Sequence, residues 1–140
     1  MMSANERKKT TGKLQAKGTT VEGFSTKDVL VHQSLSDQGF SFEGRNDKNE
    51  WLTFFVRTLD IRTGESYKIE QFGSAGTATA HYQASADVKY DGITGFIKFV
   101  KFDKLTQEAI IEAEATIARV NGEEKKIVVK GEFSGFEGSN

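Results

Sequence analysis

From about residue 13 onward the chain alternates apolar and polar side chains with a period of two. Phe40 and Phe42 are separated by Ser41 and followed by Glu43, the pattern of a strand with one buried face. The run EWLTFFVRTLDI at residues 50–61 is apolar on both faces in its middle, which predicts a strand inside the sheet or one carrying a bulge. Residues 77–84, TATAHYQA, alternate small side chains with Thr, His and Tyr. The alanines there predict a place where another element comes close. In ITGFIKFVKF, residues 93–102, Ile97 and Phe99 share one face with Lys98 opposite. Val100 then follows Phe99 directly, and Phe102 resumes the pattern after Lys101. This one-residue slip predicts a β-bulge at Phe99–Val100, which keeps Lys98 and Lys101 out of the core.

The segment LTQEAIIEAEATIARV, residues 105–120, supports two readings. As a helix, it places Leu105, Ala109, Ala113, Ile117 and Val120 on one stripe, and Ala and Glu are good helix formers. As a strand, it turns Ile111, Ala113, Ala115 and Ile117 inward and Glu112, Glu114 and Thr116 outward. Asn121-Gly122 follows, a dipeptide suited to a two-residue type I′ turn with positive φ at both positions, and residues 126–133 again read as a strand. A hairpin needs a strand on each side, so the strand reading is favoured. The alternative, one helix near 105–120, would make the fold α+β.

Further turn signals fall at Gly23, Gly44, residues 60–64, 73–76, Asp91-Gly92 and 103–106. Short strands at this spacing predict an all-β fold, an antiparallel β-sandwich or flattened barrel of about eight to ten strands. Trp51, Phe54, Val56, Ile97, Phe99 and Phe133 are the expected core contributors.

A length of 140 residues suits one domain. The basic residues Arg7, Lys8, Lys9, Lys13 and Lys17 face only Glu6 within the first 20 positions, so the rest of a chain of net charge -1 is acidic. Beyond the two initial methionines the first residues also carry almost no apolar side chains to offset their ordering entropy. Residues 1–12 are therefore expected to be a mobile basic tail and 13–140 a single all-β domain. No apolar stretch follows the basic residues as in a secretory signal, and none has the length of a membrane span. With no cysteine there is no disulfide framework, thiolate metal site or thiol nucleophile. A cytoplasmic setting is expected. With no proline either, strand edges must be protected by charge, for which the lysines of KFVKFDK and EEKKIVVK are suited. Self-association into homo-oligomers would use such edges.

Residues 92–133, GITGFIKFVKFDKLTQEAIIEAEATIARVNGEEKKIVVKGEF, resemble the closing strands of uncharacterised bacterial all-β domains: a strand ending in Lys-Phe-Asp, a short turn, a long strand, a Gly turn and a strand ending in Gly-x-Phe. The resemblance implies an all-β fold and carries over no site. Domains of that look are often secreted lipoproteins, but this chain lacks the lipobox cysteine, so it implies no shared localisation.

Candidate chemistry is sparse. The two histidines, His32 and His81, stand in no Gly-x-Ser-x-Gly or metal-ligand spacing. Residues 46–50, NDKNE, have the composition of a calcium loop without its spacing and read as a polar hairpin loop. Residues 72–77, FGSAGT, could offer backbone N–H groups to a phosphate, but no Gly-Lys-Ser/Thr and no helix pattern accompany them. Glu112 and Glu114 would share a solvated strand face. Phe96, Phe99 and Phe102 interleave with Lys98 and Lys101 as in RNA-binding sheets, yet the acidic body opposes a nucleic-acid partner. No catalytic, cofactor-binding or metal-binding residue is assigned. The expected function is a non-catalytic binding or protein-interaction module whose partner is a protein or a small apolar ligand, with His81, Tyr82 and Trp51 as contact candidates. Two alternatives accompany it: a calycin-like carrier of a small hydrophobic ligand, and a hydrolase or isomerase with its site in a barrel mouth. A carrier needs several hundred Å³ of enclosed apolar volume, and an enzyme needs a cleft with a histidine beside a carboxylate.

Overall fold

The computed structural model describes residues 9–138, which form ten strands and no helix. The strands are β1 (Thr11–Lys17), β2 (Phe24–Thr26), β3 (Val29–Ser34), β4 (Gly39–Arg45), β5 (Trp51–Val56), β6 (Ser66–Lys68), β7 (Ala78–Ser85), β8 (Val88–Asp103), β9 (Glu108–Ala118) and β10 (Glu124–Ser134). All ladders between them are antiparallel. The sheet order is β2-β1-β10-β9-β8-β7-β5-β4-β3, with β6 beside the lower half of β8. The sheet curls into a nearly closed barrel. No helix among the described residues is long and apolar enough to cross a membrane.

The chain termini close the seam. Glu137 runs parallel to β3: its N–H donates to Val31 O at 2.7 Å and its carbonyl accepts from Gln33 N at 2.8 Å. Thr10 fastens the same place. Its hydroxyl donates to Gly135 O at 2.6 Å and accepts from Val31 N at 3.0 Å, and its own N–H donates to Glu137 Oε2 at 2.9 Å. Residues 1–8 of the expected tail lie outside the described residues. Thr10, by contrast, is buried, and Thr11 and Gly12 begin β1. Their ordering comes from backbone pairing and a buried hydroxyl, which hydropathy does not reveal.

The period-two pattern translates into an aromatic interior. Phe40 and Phe42 point inward from β4, Phe99 and Phe102 from β8, Phe133 from β10, and Phe136 from the closing segment. β4 and β8 are not sheet neighbours, yet Phe42 meets Phe99 at 5.1 Å and Phe40 meets Phe102 at 5.2 Å between ring centroids. Rings from facing walls therefore touch across the middle, so the barrel is flattened and filled. Phe40, Phe42, Phe54, Phe99, Ile97, Ile111 and Ile117 have no solvent-accessible surface. A water-sized void against any of them would show as such surface.

β9 settles the ambiguous segment as a strand, with Ile111, Ala113, Ala115 and Ile117 inside and Glu112 and Glu114 in solvent. The bulge also lies where the slip in pattern places it: Phe99 pairs with Ile111 and Lys101 with Ile110, leaving Val100 unpaired and exposed.

Three expectations are corrected. The β9–β10 connection is not a two-residue type I′ turn. Arg119 and Glu123 flank the loop Val120-Asn121-Gly122, Gly122 N donates to Arg119 O at 2.9 Å, and only Gly122 of the loop has positive φ, at 91°. This is a type I turn ended by a left-handed glycine bulge, and the Asn121 side chain caps it by accepting from Glu123 N. Asp91-Gly92 is not a turn but lies within β8. The β7–β8 hairpin turns at Ala86-Asp87 instead. Gly92 is there because a Cβ would come within 2.9 Å of the Ala80 Cβ and 3.0 Å of Ile69, the close approach that the alanines of β7 predict. Finally, Trp51 is not a core residue. Leu52, Phe54 and Val56 take the inward positions of β5, so Trp51, Thr53 and Phe55 face outward.

Candidate functional site

The outer wall over β5, β7 and β8 brings aromatic and polar groups together in one groove. Register places Trp51 opposite Gln83 and Thr53 opposite His81 across β5–β7. On the other side of β7, His81 pairs with Asp91 and Gln83 with Lys89. Alternation turns all six side chains to one face. They line a shallow groove of about 280 Å³, close to the lower bound of ordinary small-molecule sites. The His81 Nδ1 lies 2.6 Å from Asp91 Oδ1, with both side chains about half exposed at 55% and 51%. That contact engages Nδ1 and leaves Nε2 without a protein partner among the described residues. The Arg45 guanidinium stands 5.3 Å from the centre of the Trp51 ring, a cation–π contact that holds the indole against the wall. Among the described residues, the side chains of Thr53, Gln83 and Lys89 have no partner.

Next to the groove, on the outer face of β4, burial raises the Glu43 carboxyl above its ordinary range, while the nearby His32 and Arg45 charges oppose the shift. This wall is therefore partly desolvated although it faces outward.

Of the three contact candidates, Trp51 and His81 share the groove. Tyr82 underlies it but sends its side chain into the barrel, where it is 1% exposed. Its hydroxyl donates to Glu50 Oε2 at 2.9 Å, and Asn46 Nδ2 donates to Glu50 Oε1 at 2.6 Å. Burial, followed by the bond to Glu50 and the charge of that carboxylate, pushes the Tyr82 phenol far above its ordinary pKa. The neighbouring Thr19 hydroxyl, fully buried, lies near enough to favour the phenolate weakly but is not in hydrogen-bonding geometry. Tyr90, 5.8 Å from Tyr82 between ring centres, donates likewise to Glu123 at 2.6 Å. These tyrosine–carboxylate pairs cap one end of the core.

Thr53, Gln83, Lys89 and Asp91 were not singled out by sequence pattern. Part of a signal was present: a two-residue turn at Ala86-Asp87 pairs Ser85 with Val88, and a bulge at Ala84 then shifts the register by one so that positions 83 and 89, and 81 and 91, become cross-strand partners. Reading Asp91-Gly92 as the turn concealed it.

The other motifs resolve into local structure. Asn46 Oδ1 accepts from Lys48 N and Glu50 N, so residues 46–50 form a hairpin loop bound to itself. In the loop at 72–77, Ser74 N donates to Thr77 Oγ1, Thr77 N to Ser74 O and Gly76 N to Arg57 O. Those N–H groups are spent within the fold. Phe99 and Phe102 point inward, leaving Phe96 as the outward ring of that series. No group of three His, Cys, Asp or Glu side chains that could hold a metal ion occurs among the described residues. His32 is not one of the groove's lining residues and lies at the seam beside Glu137.

In comparisons with known proteins, no family model matches the chain, and no curated protein and no solved structure is significantly similar to it.

Proposed function

We propose that the protein is a non-catalytic binding module that recognises its ligand through the outer groove between Trp51 and the His81–Asp91 pair. The observation that carries this reading is the placement of the one tryptophan of the chain. It stands on the outer face of an interior strand, beside unpartnered polar side chains, while the inward positions of the same strand are filled by Leu52, Phe54 and Val56. Burying that indole inside the barrel would remove more apolar area from water than any other single exchange on β5. The filled interior speaks against a calycin-like carrier, whose ligand needs the space that Phe42, Phe99 and their neighbours occupy. The His81–Asp91 pair has the elements of a catalytic base. It lies on an open wall, however, without the enclosing cleft and converging groups that catalysis needs.

Because Trp51 is the sole tryptophan, its fluorescence reports on the groove. A fragment library screened by Trp51 emission should yield saturable binders that His81→Ala weakens while the melting temperature stays unchanged. If binders persist unweakened in both His81→Ala and Gln83→Ala, the groove is not the site.

A further inference from the structure

Resting on that reading of the groove, we infer that its ligand class is a neutral, polyhydroxylated ring: a saccharide unit held against Trp51. Three features of the site converge on this chemistry. Charge is the first. Lys89 and Asp91 bring one cation and one anion to the groove, Asp91 is engaged with His81 at 2.6 Å, and at the groove's edge the Arg45 cation over Trp51 is balanced by the nearby Glu43 carboxyl. No excess of either sign is left to select a phosphate, a carboxylate or an ammonium group, so the charge-complementary occupant is neutral. Hydrogen-bonding capacity is the second. Thr53 offers a hydroxyl, Gln83 an amide with both a donor and an acceptor, Lys89 a donor and His81 its outer ring nitrogen, and Thr53, Gln83 and Lys89 are without partners among the described residues. An apolar occupant would strip water from these groups and return nothing, whereas a sugar hydroxyl both donates and accepts. The third is the indole. Its π face is electron-rich, and the C–H side of a pyranose ring is weakly positive and apolar. A sugar therefore presents one face to Trp51 and its hydroxyl rim to the polar side chains. The size and openness of the groove agree, since a volume of about 280 Å³ on an open wall accommodates a ring or two with the rest of an oligosaccharide in solvent.

The test is calorimetric titration of the full chain with soluble neutral oligosaccharides (maltotriose, cellotetraose, laminaritetraose, chitotriose). Glucose 6-phosphate and decanoate serve as charged and apolar comparators. We expect at least one neutral oligosaccharide to bind saturably and the two comparators not to bind. Trp51→Ala should weaken that binding on the order of tenfold or more, and Gln83→Ala and Thr53→Val several-fold. The last two are solvent-facing changes that keep the inference testable if Trp51→Ala unfolds. Absence of binding by every neutral oligosaccharide overturns the inference, and so does preferential binding of either comparator. Binders from the fragment library that depend on His81 would in those cases still uphold the groove as a binding site. Saccharide binding indifferent to all three substitutions overturns the inference and the groove reading together.

Discussion

Phe99 and Val100 are adjacent in the chain and should respond oppositely to truncation. Phe99 has no accessible surface and packs its ring against Phe42 at 5.1 Å and against Tyr67 and Phe102 at 5.7 Å. Phe99→Ala removes that ring from a filled interior whose walls meet across it. The lost transfer energy and the residual cavity together cost about 3–5 kcal/mol. Because three aromatic neighbours lose contacts that carry an additional stabilisation of about 0.5–1.5 kcal/mol each, the upper part of the range is expected. For a chain of this length that corresponds to a fall of roughly 10–20 °C in melting temperature. Val100 is the unpaired residue of the bulge and is 42% exposed, so Val100→Ala should cost no more than about 1 kcal/mol, mainly in strand preference. Guanidinium unfolding followed by far-UV circular dichroism and by Trp51 emission measures both. Equal losses at the two positions, or a loss under about 1 kcal/mol at Phe99, would show that the register does not slip at Phe99 and that the interior is not packed as described.

Gly122→Val should destabilise by roughly 1–3 kcal/mol in chemical denaturation, because the position requires φ of 91° although nothing lies within 4 Å of an added Cβ; no effect would mean the loop relaxes freely. Deleting residues 1–8 should leave the melting temperature within about 2 °C of the intact chain, as expected for a terminal segment whose only large apolar side chains are Met1 and Met2. Deleting 1–12 removes the three Thr10 hydrogen bonds and the start of β1 and should cost on the order of 2–4 kcal/mol; equal tolerance of both deletions would refute the role of Thr10 in closing the seam. Tyr82→Phe leaves the Glu50 carboxylate without its buried donor and should cost about 1–3 kcal/mol near neutral pH. An unfolded tyrosine ionises near pH 10, whereas folded Tyr82 keeps its proton to higher pH. Its contribution is thus complete below about pH 10 and declines as pH rises beyond it. The Tyr82→Phe variant should lose stability less steeply than wild type across that alkaline range, and parallel slopes would argue against a buried phenol.

The fold was legible wherever alternation, or a one-residue break in it, could be followed along the chain. The Phe40/Phe42 pattern, the slip at Phe99–Val100 and the inward series Ile111, Ala113, Ala115 and Ile117 each correspond to a face of the barrel wall. Sequence reasoning lost ground where a residue served tertiary packing instead of its local preference. Gly92 follows Asp91 as a turn glycine would, but it is small because Ala80 and Ile69 crowd it. Trp51 belongs by hydropathy with Leu52 and Phe54, and only the parity of β5 places it outside. The site was legible in part for the same reason. Trp51 and His81 stand out by residue type, whereas Thr53, Gln83, Lys89 and Asp91 join them only once the register of β5, β7 and β8 is known. Tyr82, one position from His81, belongs to the opposite face.

The central claim is that recognition takes place on the outer wall because the interior is solid. Amide and methyl chemical-shift mapping of the labelled protein, with a ligand found by the Trp51 fluorescence screen added to saturation, tests it most directly. Shifts should concentrate at Trp51, Thr53, His81, Gln83, Lys89 and Asp91, while the methyl groups of Ile97, Ile111 and Ile117 stay in place. Large shifts of those three isoleucines, with the groove unperturbed, would contradict the claim and return the ligand to the inside of the barrel.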